Sequence, residues 1–254
     1  MVLEDPPGFI VRTEAQKAAS ANGFRLARAM EHGWLGFAST TAQVMVWIAR
    51  EVTGGRWLMS IDRPEVIAEL GLSPGPETVG PGAVSFAFAS LSDLYAALDR
   101  VYRLGVSLPD APLHAFQAAA RDLPRATEAE RLVIQRVGQD LFRKALQAYW
   151  GGRCPLTGIT DEALLRASHI VPWAECETDQ RRLDVHNGLL LSALWDAAFD
   201  AGLISFADDG AVLVSPHLSP VSGMALGLDR SERLTGLTAT HRPNLAWHRA
   251  RYGF

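Results

Sequence analysis

The sequence predicts an α+β protein. A mixed α/β N-terminal module spans residues 1–125, and residues 126–254 hold a helical connector and a C-terminal β-β-α unit. Three observations carry this prediction. Up to about Ser107, short β-prone runs alternate with runs of helical spacing. A long stretch from Thr127 to Tyr149 then carries helix signals at both ends. Beyond Cys154, two β-prone runs are followed by a short helix with carboxylates on one face.

In the first module, Gly33 to Ala38, Gln43 to Ile48 and Arg56 to Ile61 are apolar and β-prone, and Gly54-Gly55 marks a hairpin between the last two. Pro64 to Leu70 is a short helix with Asp62 as its cap and Gly71 as its stop. Leu72 to Gly82, with three prolines and three glycines, is a loop. Ala83 to Ala89 is a strand. Ser92 to Leu104 is a helix, with Leu94, Leu98, Val101 and Leu104 along one stripe.

Pro112 to Leu123 is a further helix, and the domain boundary falls near residue 125. Thr127 and Glu130 form a capping box that opens the long helix, and Gly151-Gly152 closes it. A knuckle at Cys154 to Gly158 leads into Leu164 to Val171. After a polar loop, Glu175 to Asp184, a second strand starts at Asn187-Gly188. The helix Ser192 to Phe199 stops at Gly202, with Leu194 and Phe199 on its buried face. Leu203 to Phe206 and Ala211 to Val214 form a hairpin around Asp208-Asp209-Gly210.

Composition narrows the class. Apolar residues make up 48% and charged residues 20% of 254 residues, as in a soluble globular protein. No apolar run reaches the roughly 18–20 residues that span a bilayer. The start MVLEDPPGFIVR lacks a basic n-region followed by an apolar h-region, so a cytoplasmic protein is expected. Two cysteines, Cys154 and Cys176, exclude a four-thiolate zinc site. The formal charge of −4 gives no general attraction to phosphates, but from Arg233 onward there are four arginines and no acid.

Four residues suggest chemistry. His169 ends the first β-prone run, and Asn187 lies where the second strand pairs back toward it. Asp196 and Asp200, four apart on the helix, point from one face. Two carboxylates beside a neutral imidazole suit one divalent ion, Mg²⁺ or Mn²⁺. A histidine of near-neutral pKa can take a proton from water, and a divalent ion can stabilise a phosphate under attack.

The runs Ala167-Ser168-His169-Ile170-Val171-Pro172-Trp173, Asn187-Gly188-Leu189-Leu190-Leu191 and Asp196-Ala197-Ala198-Phe199-Asp200-Ala201-Gly202 resemble the HNH endonuclease family, in its bacterial, restriction-endonuclease-like form. Gly138-Gln139, Phe142-Arg143, Tyr149 and Cys154-Pro155-Leu156-Thr157-Gly158 resemble the lead-in to those motifs. The likeness covers roughly residues 131 to 206.

It implies a ββα-metal fold and a metal-dependent endonuclease acting on DNA. His169 would be the general base, and Asn187 its structural companion in the catalytic pair. The family's last histidine, a metal ligand, falls at Asp196. Ser168 stands where an Asp or His often precedes the base. The implied ligand set is therefore Asp196, Asp200 and Ser168. A role in restricting foreign or modified DNA follows from the likeness, and a homodimer would cut both strands. An RNA-cutting or toxin-type nuclease, or a nucleic-acid-binding protein with a degenerate site, would carry the same motifs.

Arginines are the candidate nucleic-acid contacts. Arg143 comes from the family likeness, Arg181 and Arg182 from the polar loop, and Arg242, Arg249 and Arg251 from the tail. The tail HRPNLAWHRARYGF can clamp phosphates and bases, or dock Leu245 and Trp247 into the core, or do both on different faces. His186, His217, His241 and His248 receive no role. Trp34, Phe37, Trp47 and Trp57 are core or, if the N-terminal module reads DNA, a cage for a flipped or modified base.

Overall fold

The computed structural model describes residues 2–75, 80–108, 110–124, 127–228 and 233–254. The chain divides into two compact units, Met1–Ala111 and Pro112–Phe254. The expected boundary near residue 125 and the middle of the expected loop Leu72 to Gly82 lie outside the described residues.

The first unit is α+β. Its elements are α1 (Phe9–Ala21), β1 (Leu26–Ala27), β2 (Leu35–Ala38), β3 (Met45–Arg50), β4 (Trp57–Ile61), α2 (Pro64–Leu70), β5 (Val84–Phe88) and α3 (Leu91–Ser107). The five strands form one antiparallel sheet in sequence order. Alternation splits its core. Val46, Ile48, Met59, Ile61 and Phe86 lie on one face. Trp34, Trp47, Ala49 and Leu58 form a cluster on the other. The expected hairpin is present: Gly54 and Gly55 take φ of 94° and 65°, which a side chain would resist.

Two features differ from expectation. Asp62 does not cap α2. Its Oδ1 accepts the main-chain N–H of Met45 at 2.9 Å, and Arg63 takes the cap position without a side-chain bond. The helix α1 was not anticipated. Its buried stripe is Val11, Ala15, Ala18 and Ala19, and Gly8 offers no capping side chain, so neither helix signal is strong.

The division falls after the first residue of α4 (Ala111–Ala120), and the second unit holds the rest of that helix and α5 (Glu128–Tyr149). The capping box holds: Glu130 N–H donates to Thr127 Oγ1 at 3.2 Å, and Thr127 N–H donates to Glu130 Oε2 at 2.8 Å. Next come β6 (Leu165–His169), α6 (Asp179–Leu183), β7 (Gly188–Ser192) and α7 (Ala193–Asp200). Then follow β8 (Ile204–Phe206), β9 (Val212–Val214), α8 (Pro220–Leu226) and α9 (Arg242–Tyr252).

β6 and β7 pair antiparallel, with His169 opposite Gly188. α7 packs on both strands, completing the β-β-α unit, and α5 covers the same hairpin. Phe142, Leu146, Leu189, Leu191 and Phe199 are fully buried there. The expected polar loop contains α6, opened by Thr178, whose hydroxyl accepts Arg181 N–H at 3.2 Å. The buried face of α7 is Trp195, Ala198 and Phe199, whereas Leu194 is 52% exposed. The tail forms α9, docking Leu245 and His248, with Trp247 only half-buried.

Candidate active site

A cleft of about 590 Å³ opens over the β-β-α unit. α5 lends it Gln139, Asp140, Phe142 and Arg143, and β6 lends Arg166, Ser168 and His169. Asp196 and Asp200 come from α7, and His248 and Tyr252 from α9.

His169 is held on two faces. Phe142 stacks on its ring at 3.8 Å and 17°, and Trp173 meets it edge-on at 5.7 Å. Its Nε2 lies 2.9 Å from the main-chain carbonyl of Arg182. A carbonyl only accepts, so Nε2 carries the proton and Nδ1 keeps a lone pair. Nδ1 has no protein hydrogen-bond partner among the described residues. Burial pushes the imidazole below its usual range, against the opposing pull of the Arg182 carbonyl. The ring is therefore neutral and basic at neutral pH.

Asn187 is fully buried and does not line the cleft. Its Oδ1 accepts Val171 N–H at 2.8 Å, and its Nδ2 lies 3.1 Å from Val171 O, 3.2 Å from Arg181 O and 3.4 Å from Cys176 Sγ. It ties the segment after His169 to the segment before β7, and so fixes where the Arg182 carbonyl sits.

The two aspartates share the cleft-facing side of α7. Burial pushes both carboxyls above the usual range, and the charge of Asp196 raises Asp200 further. Ser168, buried on β6, donates to Asp200 Oδ1 at 3.3 Å and opposes the shift at both. Two neighbouring carboxylates, Asp196 half-buried and Asp200 exposed, that repel each other suit a divalent cation, which would relieve the repulsion. Among the described residues no group of three or more His, Cys, Asp or Glu side chains forms a metal cage. The oxygen pair with Ser168 fits an ion such as Mg²⁺, which keeps several waters.

The candidate arginines divide. Arg143 lines the cleft, 3.6 Å from the Glu162 carboxylate. Arg182 is tied into its own loop: it donates to Asp179 at 2.8 Å, to Trp173 O at 3.2 Å and to Cys176 O, and lies over the Trp173 ring. Arg181 bonds Asn244 Oδ1 at 3.4 Å. Arg249 reaches Phe206 O and Asp208, Arg251 lies 3.9 Å from Glu175, and Arg242 is exposed.

Sequence reasoning missed Arg166, Asp140, His248 and Tyr252 as cleft residues. Arg166 had a signal, since it stands two residues before Ser168 on one strand and so shares its face. His248 and Tyr252 had none, because only the docking of α9 brings them to α7: Tyr252 donates to the Asp200 carbonyl at 2.8 Å, and His248 stacks on Phe199 at 3.8 Å and 4°.

An antiparallel hairpin and a helix packed across it form a ββα unit, and His169, Asp196 and Asp200 line one cleft over it. In the comparison with known families, residues 154–207 match the HNH endonuclease family, so this segment is similar to an HNH nuclease domain. The matched segment contains β6, β7, α7 and β8 and stops short of α9. None of the curated proteins compared matches the chain. Among the described residues, no helix is long and apolar enough to cross a membrane.

Proposed function

We propose that the protein is a metal-dependent endonuclease that hydrolyses DNA phosphodiester bonds through a water activated by His169. The observation that carries this reading is the tautomer of His169: the Arg182 carbonyl accepts from Nε2, which leaves Nδ1 as a base at the cleft. Nδ1 takes a proton from water, the water oxygen bonds to phosphorus, the ester bond breaks, its oxygen leaving with a proton from a second water, and His169 returns its proton to solvent. Phe142 and Trp173 keep the ring oriented during this transfer, and Asn187 keeps the loop carbonyl in place.

Asp196 and Asp200, with Ser168 beside them, would hold one Mg²⁺ or Mn²⁺. When bound, that ion supplies charge neutralisation at the phosphate and the leaving oxygen. Arg143 is the proposed phosphate contact from α5, and Arg242 and Arg251 the exposed contacts from α9. A cytoplasmic role in restricting foreign or modified DNA, by a homodimer, fits this chemistry. Trp34, Phe37, Trp47 and Trp57 are buried, so a modified-base reader in the first unit would have to use other residues.

The test is plasmid cleavage with Mg²⁺, Mn²⁺ or EDTA, beside His169→Ala, on unmodified, adenine-methylated, cytosine-methylated and hydroxymethylated DNA. Metal-dependent nicking or cutting that vanishes in His169→Ala is expected. Cutting that persists in the variant would remove His169 as the base. No cutting of any DNA would move the reading to RNA or to binding alone.

A further inference from the structure

Arg166 lies outside every motif used above. It stands on β6 two residues before Ser168, lines the cleft and is exposed. Its guanidinium is anchored at one end only: Nη1 donates to the carbonyls of Ala163 and Leu165, each at 2.9 Å. Its Nε and Nη2 have no protein partner among the described residues. Nor does any carboxylate lie within 4.0 Å of it there, whereas Arg143 and Arg182 each hold one. An arginine fixed by main-chain carbonyls, with a two-donor edge unused, matches the fork geometry that grips a phosphate.

We propose that Arg166 binds the scissile phosphate directly, using its Nε–Nη2 edge, between the base at His169 and the carboxylates of α7. This rests on the nuclease reading above. The phosphate would lie where Asp196 and Asp200 concentrate negative charge, and Arg166 supplies a positive charge from β6, on which α7 packs. The charge of Arg166 already acts on Asp196, opposing the upward push that burial gives its carboxyl. A role confined to Asp196 is therefore the rival that the test must separate.

The experiment compares wild type, Arg166→Gln and Arg166→Lys, with circular dichroism to confirm folding. Binding of a short fluorescein-labelled DNA duplex is measured in EDTA across a salt series. Single-turnover cleavage is measured across a metal titration. In Arg166→Gln the rate at saturating metal should fall about 100-fold. The slope of log Kd against log salt should fall by about one. Arg166→Lys should keep the salt slope, because it keeps the charge, and recover only part of the rate.

An unchanged rate and slope would overturn the proposal. So would a rate that excess metal restores, because Arg166 would then act only through Asp196. If wild type cuts no DNA, the nuclease reading fails and the salt slope alone decides Arg166: a loss of about one supports phosphate binding, and no change overturns it.

Discussion

At the scale of the residue, His169 is pulled two ways: burial lowers its proton affinity and the Arg182 carbonyl raises it, with burial the larger effect. The base form thus persists below the ordinary imidazole value near about 6.5. The acidic limb of the pH–rate profile should lie below that value; a limb above it would show that another group is the base. His169→Ala should cost about 10²- to 10⁴-fold in single-turnover rate.

The α7 carboxylates predict an opposite pairing of effects. Asp200→Asn removes one of two repelling groups, so thermal melting in EDTA should show a variant at least as stable as wild type. Added Mn²⁺ should raise the melting temperature of wild type but not of the variant. His248 is 2% exposed and held down to about 4, chiefly by burial. The unfolded chain protonates first, so stability is full above about 6.5 and lost as pH falls toward 4, by about 3 kcal/mol in all. Urea unfolding at pH 7.5 and 4.5 should show a larger drop in wild type than in His248→Gln. Motif and helical spacing singled out His169, Asp196 and Asp200, which line one cleft, and Asn187, which is buried behind it. The commitments of Arg182 and Arg249 were not, since a sequence shows charge without showing which carbonyls a guanidinium has already met.

Elements were legible where their ends carry chemistry. α5 has its capping box and α2 its left-handed Gly71, and both helices were foreseen. α1 has alanines and no cap, and was not; α6, only five residues long, hid within a polar run. The hairpin β6–β7 depends on close approach. A Cβ on Gly188 would sit 2.5 Å from Phe142 Cζ and 2.8 Å from Leu146 Cδ1. Gly188→Ala should therefore push Phe142 off His169 and reduce cleavage, and comparing kinetics with a melt would separate that loss from general unfolding. Asn187→Ala leaves buried main-chain groups of the loop without partners and should cost about 2–4 kcal/mol in urea unfolding.

For the whole molecule, a net charge of −4 sets the terms of binding. Attraction to nucleic acid has to come from local arginines at the cleft and along α9, not from the average field. Affinity should fall as salt rises with a shallow slope, reporting few phosphate contacts, and anisotropy titrations would measure it. Residues 112–254 form one of the two compact units, so that segment alone should give a single cooperative melt. Fold class was readable at this scale from alternating periodicities. The route by which α9 reaches the cleft was not, because it is a long-range packing choice made by Leu245 and His248 rather than a local signal.

The proton on His169 is positioned by a main-chain oxygen. A substitution at position 182 keeps that acceptor in the chain and acts on the tautomer only through the loop, whose Trp173, Cys176 and Asp179 the Arg182 guanidinium now ties together. What can move it is a shift of the loop as a body, which makes the chemistry of the ring answerable to the loop's path and not to its letters.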